Sequence, residues 1–181
     1  KSKGRIMMYW IAQGFGLLGL IVMVISLFQK DKDKMLNFVV LNGLFFGIEY
    51  LLLKAFSGMF SNFFGILRTF ISKEKEKKKG FDKQGIMFLF ILGYMIIGFI
   101  SFDGKVMSLL PIFAEIIYVI TLWQKNVKKI RIGTLLMVLL WLVYDIFVKA
   151  YPSLITDLIV MSSTIIAIYL KDIRKKEDNN E

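Results

Sequence analysis

Seven apolar stretches, each near bilayer-spanning length and each bounded by a lysine-bearing break, constrain this chain more than any other feature. They cover residues 6–29, 35–53, 56–72, 85–101, 106–124, 132–148 and 152–170. A helix needs roughly 20 apolar residues to cross the hydrocarbon core, with about 17–25 observed. Hydrophobic residues make up 56% of the 181, charged residues only 21%, and the mean hydropathy is +0.63. A soluble domain this small could not hide so much apolar surface, whereas a bilayer is a solvent for it. The expected fold class is therefore an all-α integral membrane protein with seven transmembrane helices. No small-residue cleavage site follows the first run, so it reads as a retained helix rather than a signal peptide.

The net charge of +10 could suggest nucleic acid, but the basic residues sit in short clusters between apolar runs. That is the pattern of cytoplasmic loops, and no nucleic-acid partner is expected. With seven spans, residues 30–34, 73–83, 125–131 and the tail 171–181 share one face and carry 17 Lys and Arg; the opposite face carries 6. The positive-inside rule then puts the N-terminus outside and the C-terminus in the cytoplasm. The chain has no cysteine and no histidine. This removes disulfides, thiolate nucleophiles, cysteine- or histidine-based metal sites and imidazole proton chemistry, so no metal or cofactor is expected. Without a paired-carboxylate motif to replace them, an enzyme is not expected either.

Sliding the chain by 95 residues aligns it with itself without a gap. LFQKDKDK at 27–34 falls on LWQKNVKK at 122–129, and LLLKAFSGMFSN at 51–62 falls on IFVKAYPSLITD at 146–157. Of 52 aligned positions 13 are identical, and the polar matches (Gln29/Gln124, Lys30/Lys125, Lys34/Lys129, Lys54/Lys149) are the informative ones. Fixed-period self-similarity marks a repeated structural unit. A three-helix unit repeated directly would be inverted; the extra helix at 85–101 restores a parallel orientation. The expected organisation is a first three-helix bundle at 6–72, a linker helix at 85–101, a second bundle at 106–170 and a cytoplasmic tail at 171–181.

The segments YWIAQGFG at 9–16, ILRTFI at 66–71, LLPI at 109–112 and WLVYDIF at 141–147 resemble the YgjV family of bacterial inner-membrane proteins. The 3+1+3 plan resembles the wider SWEET/MtN3 and PQ-loop superfamily, which includes the nicotinamide riboside carriers, although the PQ dipeptide itself is absent. That resemblance implies a substrate site between the bundles near the bilayer midplane. It further implies hinges at Pro111 and at its repeat equivalent Gly16, and a pocket of aromatic and amide residues. Trp141 with Asp157, and Phe46 with Asn62, hold the corresponding positions.

Four acids fall inside the apolar runs: Glu49, Glu115, Asp145 and Asp157. A charge at the bilayer centre costs about 2.5–3.5 kcal/mol on insertion scales, so these should face protein or water. Glu115 is the deepest, and reads either as a cation or proton site or as a neutral carboxyl bonded between helices. Asp145 stands four residues before Lys149 and is expected to pair with it at the membrane surface. Arg68 is expected to snorkel to lipid phosphates, with a salt bridge as the second reading. The basic run 73–83 is a candidate for contact with anionic lipid. The functional expectation is a carrier of a small polar solute, neutral or cationic, working by alternating access. A non-transporting receptor or interaction protein on the same scaffold is the alternative. One chain with both halves can enclose a pocket alone, so an oligomer is possible but not required.

Overall fold

The computed structural model describes residues 2–29, 32–77, 83–124 and 126–170. The tail 171–181 and part of the basic 73–83 run lie outside the described residues. The described residues form seven α-helices and no strand: α1 (Ser2–Leu27), α2 (Lys32–Leu52), α3 (Phe56–Lys77), α4 (Lys83–Ser101), α5 (Leu110–Leu122), α6 (Val127–Val148) and α7 (Tyr151–Ile168). Four of them are long and apolar enough to cross a membrane, over Lys3–Ser26, Gln84–Ser101, Lys128–Val148 and Tyr151–Ile168. Two shorter apolar helices cover Asn37–Leu52 and Val106–Leu122. α3 falls outside this set because its apolar run, residues 56–72, also carries Asn62, Arg68 and three serines, which lower its hydropathy.

Local chemistry sets the boundaries. The Asn126 side chain accepts hydrogen bonds from the backbone N–H groups of Lys128 and Lys129, capping α6. Pro111 sits in the first turn of α5, where a missing N–H costs nothing, and a 3-10 turn at Val106–Leu109 leads into it. The fifth apolar run is thus two pieces meeting at Pro111, not one kinked helix. Pro152 opens α7 in the same way.

α2 and α6 end alike. Lys54 and Lys149, 95 residues apart, are both left-handed, with φ of 61° and 62°. In each turn the following alanine donates its N–H to a carbonyl five residues back: Ala55 to Tyr50 at 2.8 Å, and Ala150 to Asp145 at 3.0 Å. Both alanines are buried, and this closure satisfies carbonyls that a helix end would otherwise leave bare.

Around the molecule, α1 packs on α2, α2 on α3, α3 on α5, α5 on α6, α6 on α7, and α7 back on α1. These six helices make a closed circuit. α4 lies outside it, against α3 and α5, where Phe90 and Tyr94 pack with Ile112 and Val119. The outward surface is apolar: Phe99 is 87% exposed, and Phe88, Leu89, Trp10 and Ile100 are each more than half exposed. A second core holds Phe46, Tyr50, Met59, Ala114, Trp141 and Tyr144 inside the circuit.

A left-handed conformation costs a non-glycine residue roughly 1–2 kcal/mol, and a β-branched residue suffers most. Lys149→Gly is therefore expected to leave the melting temperature of the purified protein unchanged or slightly raised. Lys149→Val should lower it by the equivalent of about 1–2 kcal/mol, as thermal unfolding in detergent will show.

Candidate functional site

A cavity of about 260 Å³ occupies the middle of the six-helix circuit. Each of the six helices contributes to its wall: Met23 from α1, Asn42, Phe46 and Tyr50 from α2, Asn62 from α3, Glu115 and Tyr118 from α5, Trp141 among others from α6, and Ser153, Thr156 and Asp157 from α7. All five residues singled out in the sequence for a pocket (Phe46, Asn62, Glu115, Trp141 and Asp157) stand on this one wall. The two hinge candidates do not. Pro111 is buried at the start of α5. Gly16 faces the Glu49 carboxyl so closely that a Cβ there would overlap it. The glycine lets α1 close over an acid that would otherwise need a cavity of its own.

One end of the cavity is crossed by a lattice of hydrogen bonds. The Tyr50 hydroxyl donates to Asp145 Oδ1 at 2.6 Å. Tyr144 Oη lies 3.0 Å from Ser57 Oγ and accepts from the Gly58 N–H at 3.2 Å. Ser153 Oγ donates to Glu49 Oε2 at 2.6 Å. Gln13 spans α1 and α7, donating to the Lys149 carbonyl at 3.0 Å and accepting from the Tyr151 N–H at 3.2 Å. A second cavity of about 280 Å³ lies beyond this lattice, lined by Lys54, Ser57, Asp103, Lys105, Ser108 and Tyr144 among others. The ring of Tyr144 in the outer cavity and the ring of Tyr50 in the central one are 5.8 Å apart. Tyr50 also stacks on Trp141 at 5.6 Å. Two tyrosines and their hydrogen bonds thus partition the two spaces.

The sequence misplaces Asp145. It is 1% exposed and holds the Tyr50 hydroxyl, not Lys149. The i, i+4 geometry requires both residues to be helical, and Lys149 has already turned left-handed. Arg68 takes the second of its two readings, a salt bridge, and does not snorkel: it is 7% exposed and forms an ion pair with Glu115. The Tyr94 hydroxyl donates to the same carboxylate oxygen at 2.9 Å, and Arg68 Nη1 donates to Tyr94 Oη at 3.1 Å. The guanidinium lies 4.5 Å from the centre of the Tyr118 ring, in cation–π contact. Glu115 is thus a charge held by a charge, which neither sequence reading supplied. Trp141 stacks on Tyr50 and also lines the cavity.

Among the described residues, four buried polar side-chain atoms have no hydrogen-bond partner: Glu49 Oε1, Ser61 Oγ, Asp145 Oδ2 and Asp157 Oδ2. Asp145 and Asp157 are near enough to feel each other's charge, and Glu49 adds to the field at Asp145. Among the described residues, no group of three or more acids is arranged to hold a metal ion.

The family model described as Imp-YgjV, bacterial inner membrane protein, matches residues 10–175. Comparison with curated proteins and with solved structures returns no match.

Removing one partner of a buried ion pair strands the other charge, at about 3–5 kcal/mol. Arg68→Gln is expected to lower the melting temperature accordingly. Adding Glu115→Gln should recover most of the loss, because two neutral amides leave no orphan charge. A double-mutant cycle on thermal unfolding reads both values.

Proposed function

The chain belongs to the Imp-YgjV family of bacterial inner membrane proteins, and from that premise we propose that it is a carrier moving a small polar solute by alternating access. In this reading all seven helices cross the membrane in a parallel 3+1+3 order, as in the SWEET and PQ-loop superfamily, with α4 as the linker. The N-terminus lies outside and the C-terminus in the cytoplasm, as the distribution of lysine and arginine favours.

The observation that carries the proposal is a central cavity walled by all six circuit helices and closed at one end by bonds between the two halves. The contacts support the parallel order. Tyr50 and Asp145 are 95 residues apart, so each occupies its repeat partner's position, and two such residues meet only at the axis relating the halves. Glu49 to Ser153 and Tyr144 to Gly58 are also one contact seen twice, since the 95-residue shift converts each pair into the other. The circuit obeys the same rule: α3 on α5 becomes α7 on α1.

In this mechanism the conformation seen here is closed on the outer side. Opening that side requires parting the Tyr50–Asp145 and Tyr144–Ser57 bonds as one three-helix bundle rocks against the other. Phe46, Asn62, Trp141 and Asp157 hold the solute by stacking and hydrogen bonding. The Arg68–Glu115 pair fixes α3 to α5 beside it. Hinging at Pro111 and Gly16 belongs to the same proposal.

Uptake of labelled sugars, nucleosides, amines or amino acids into proteoliposomes tests the carrier reading directly. Solute-induced stabilisation without uptake would move the function to a receptor on the same scaffold. The absence of cysteine gives a clean background for testing the gate. With Val160→Cys on the cavity wall, a membrane-impermeant maleimide is expected to label the unmodified gate from the cytoplasmic side. Tyr50→Phe removes a bond to a carboxylate worth about 1.5–3 kcal/mol. It should raise labelling from the outer side by about tenfold or more, since each 1.4 kcal/mol is a factor of about ten. Unchanged outer labelling would remove Tyr50 from the gate.

A further inference from the structure

The membrane-embedded acids do not balance. Glu115 is neutralised by Arg68, and Arg68 is the lone Lys or Arg inside the apolar runs. Glu49, Asp145 and Asp157 are left without a counter-cation among the described residues. Each keeps one buried oxygen with no partner. Asp157 stands on the cavity wall itself. Asp145 is 1% exposed, and its other oxygen is held by Tyr50, which also lines the cavity. Glu49 is set back, its carboxyl pressed against Gly16 and bonded by Ser153.

Two carboxylates that feel each other's charge in a low-dielectric site cannot both stay ionised and empty. The site must hold either a proton or a cation. Four aromatic rings line the same cavity, Phe46, Tyr50, Tyr118 and Trp141; Tyr118 already holds Arg68, and aromatic faces attract a cation, not an anion. The groups facing the pair are Tyr50 and Glu49 on α2, Tyr144 on α6, and the Glu115–Arg68 pair on α5 and α3 across the cavity. Tyr9 on α1 and Tyr151 on α7 stand further out, beside Glu49. Apart from the already paired Arg68, none of these is a cation that could stand in for a ligand.

We propose that Asp145 and Asp157 form one exchange site, occupied in turn by a proton and by the ammonium group of a small organic cation. This rests on the carrier reading and narrows it to a cation/proton antiporter. When the cavity is empty the pair carries one proton. When the cation enters, one O–H bond breaks, the proton leaves to water through the open end of the cavity, and the carboxylate pairs with the ammonium. Charge in the site is unchanged by the exchange, so both loaded forms can cross the closed intermediate. The doubly ionised empty form cannot.

The test is titration calorimetry of the purified protein with choline, ethanolamine and methylamine, and with erythritol as the neutral comparison. Affinity for the binding cation should rise with pH, by up to roughly tenfold per unit, because proton and cation compete for one site. Proton release should appear as a heat that depends on the buffer's ionisation enthalpy. Asp157→Asn, which installs the amide already present at the repeat-equivalent Asn62, should abolish cation binding with the unliganded melting point retained. Infrared difference spectra give a reading that needs no ligand. A protonated-carboxyl band should vanish as pH rises, and be missing in Asp157→Asn or Asp145→Asn. Cation binding without proton release, full affinity in Asp157→Asn, or no binding by any of the three cations overturns the proposal. The two readings fail separately. Uptake of a neutral solute with no proton linkage keeps the carrier and removes the exchange site. Proton-linked cation binding without uptake keeps the site and removes the carrier.

Discussion

A carboxylate inside a bilayer has no water to hydrate it, and this one constraint organises the structure. Four acids lie within the apolar runs, and none faces outward: Glu49, Glu115 and Asp145 are each less than a tenth exposed, and the unpartnered oxygen of Asp157 is buried. The outer surface is left to Phe, Leu, Ile and Met, which hydrocarbon solvates without cost. Turning every acid inward is possible only if helices surround a common interior. The closed six-helix circuit is the arrangement that offers one.

Inside it the polar groups are satisfied in two different ways, and the difference bears on motion. Arg68 with Glu115 is an ion pair reinforced by two tyrosines, Tyr94 by hydrogen bonds and Tyr118 by its ring. Parting it would expose two charges at once, so it behaves as a fixed tie between α3 and α5 with α4 behind it. The lattice at the other end is made of tyrosine and serine hydroxyls on carboxylates, a backbone N–H and a glutamine. Such bonds can be exchanged for water at modest net cost, and a polar cavity lies directly outside them. A strong tie on one side of the cavity and a dissociable lattice at its end are what a rocking motion requires.

Much of this was legible before the structure, for physical reasons that differ by feature. Run length and the break pattern exposed seven helices because bilayer thickness imposes a period that no local detail obscures. Phe46, Asn62, Trp141 and Asp157 were named for a pocket by the resemblance to the SWEET superfamily, and the four line one cavity. The 95-residue shift matches Tyr50 to Asp145, so the axis contact was readable too, had the offset been applied to unlike residues. A salt bridge was one reading of Arg68, but its pairing with Glu115 in particular was not readable. They are 47 apart, obey no repeat relation, and meet only because α3 touches α5. Asp145 was misread because helical spacing was extended through Lys149, one residue past the point where the backbone leaves the helix. The 3-10 turn before Pro111 was hidden inside a run that hydropathy sees as continuous.

The contact on the axis also explains why two halves in one chain achieve something that two identical subunits cannot. At a true two-fold, a residue meets its own copy: tyrosine would face tyrosine, or aspartate aspartate. The first pair has no strong acceptor, and the second brings two like charges together without a donor. With the repeats fused, the two positions are free to differ, and the axis can hold a donor on one side and an acceptor on the other, as Tyr50 and Asp145 do. The neighbouring pair departs from symmetry in the same sense, with Glu49 in one half where Tyr144 stands in the other. In the proposed 3+1+3 order the backbone keeps its two-fold while the chemistry along the axis becomes polar and directional. That asymmetry gives one half two acids, Asp145 and Asp157, where the equivalent positions of the other half hold the neutral Tyr50 and Asn62.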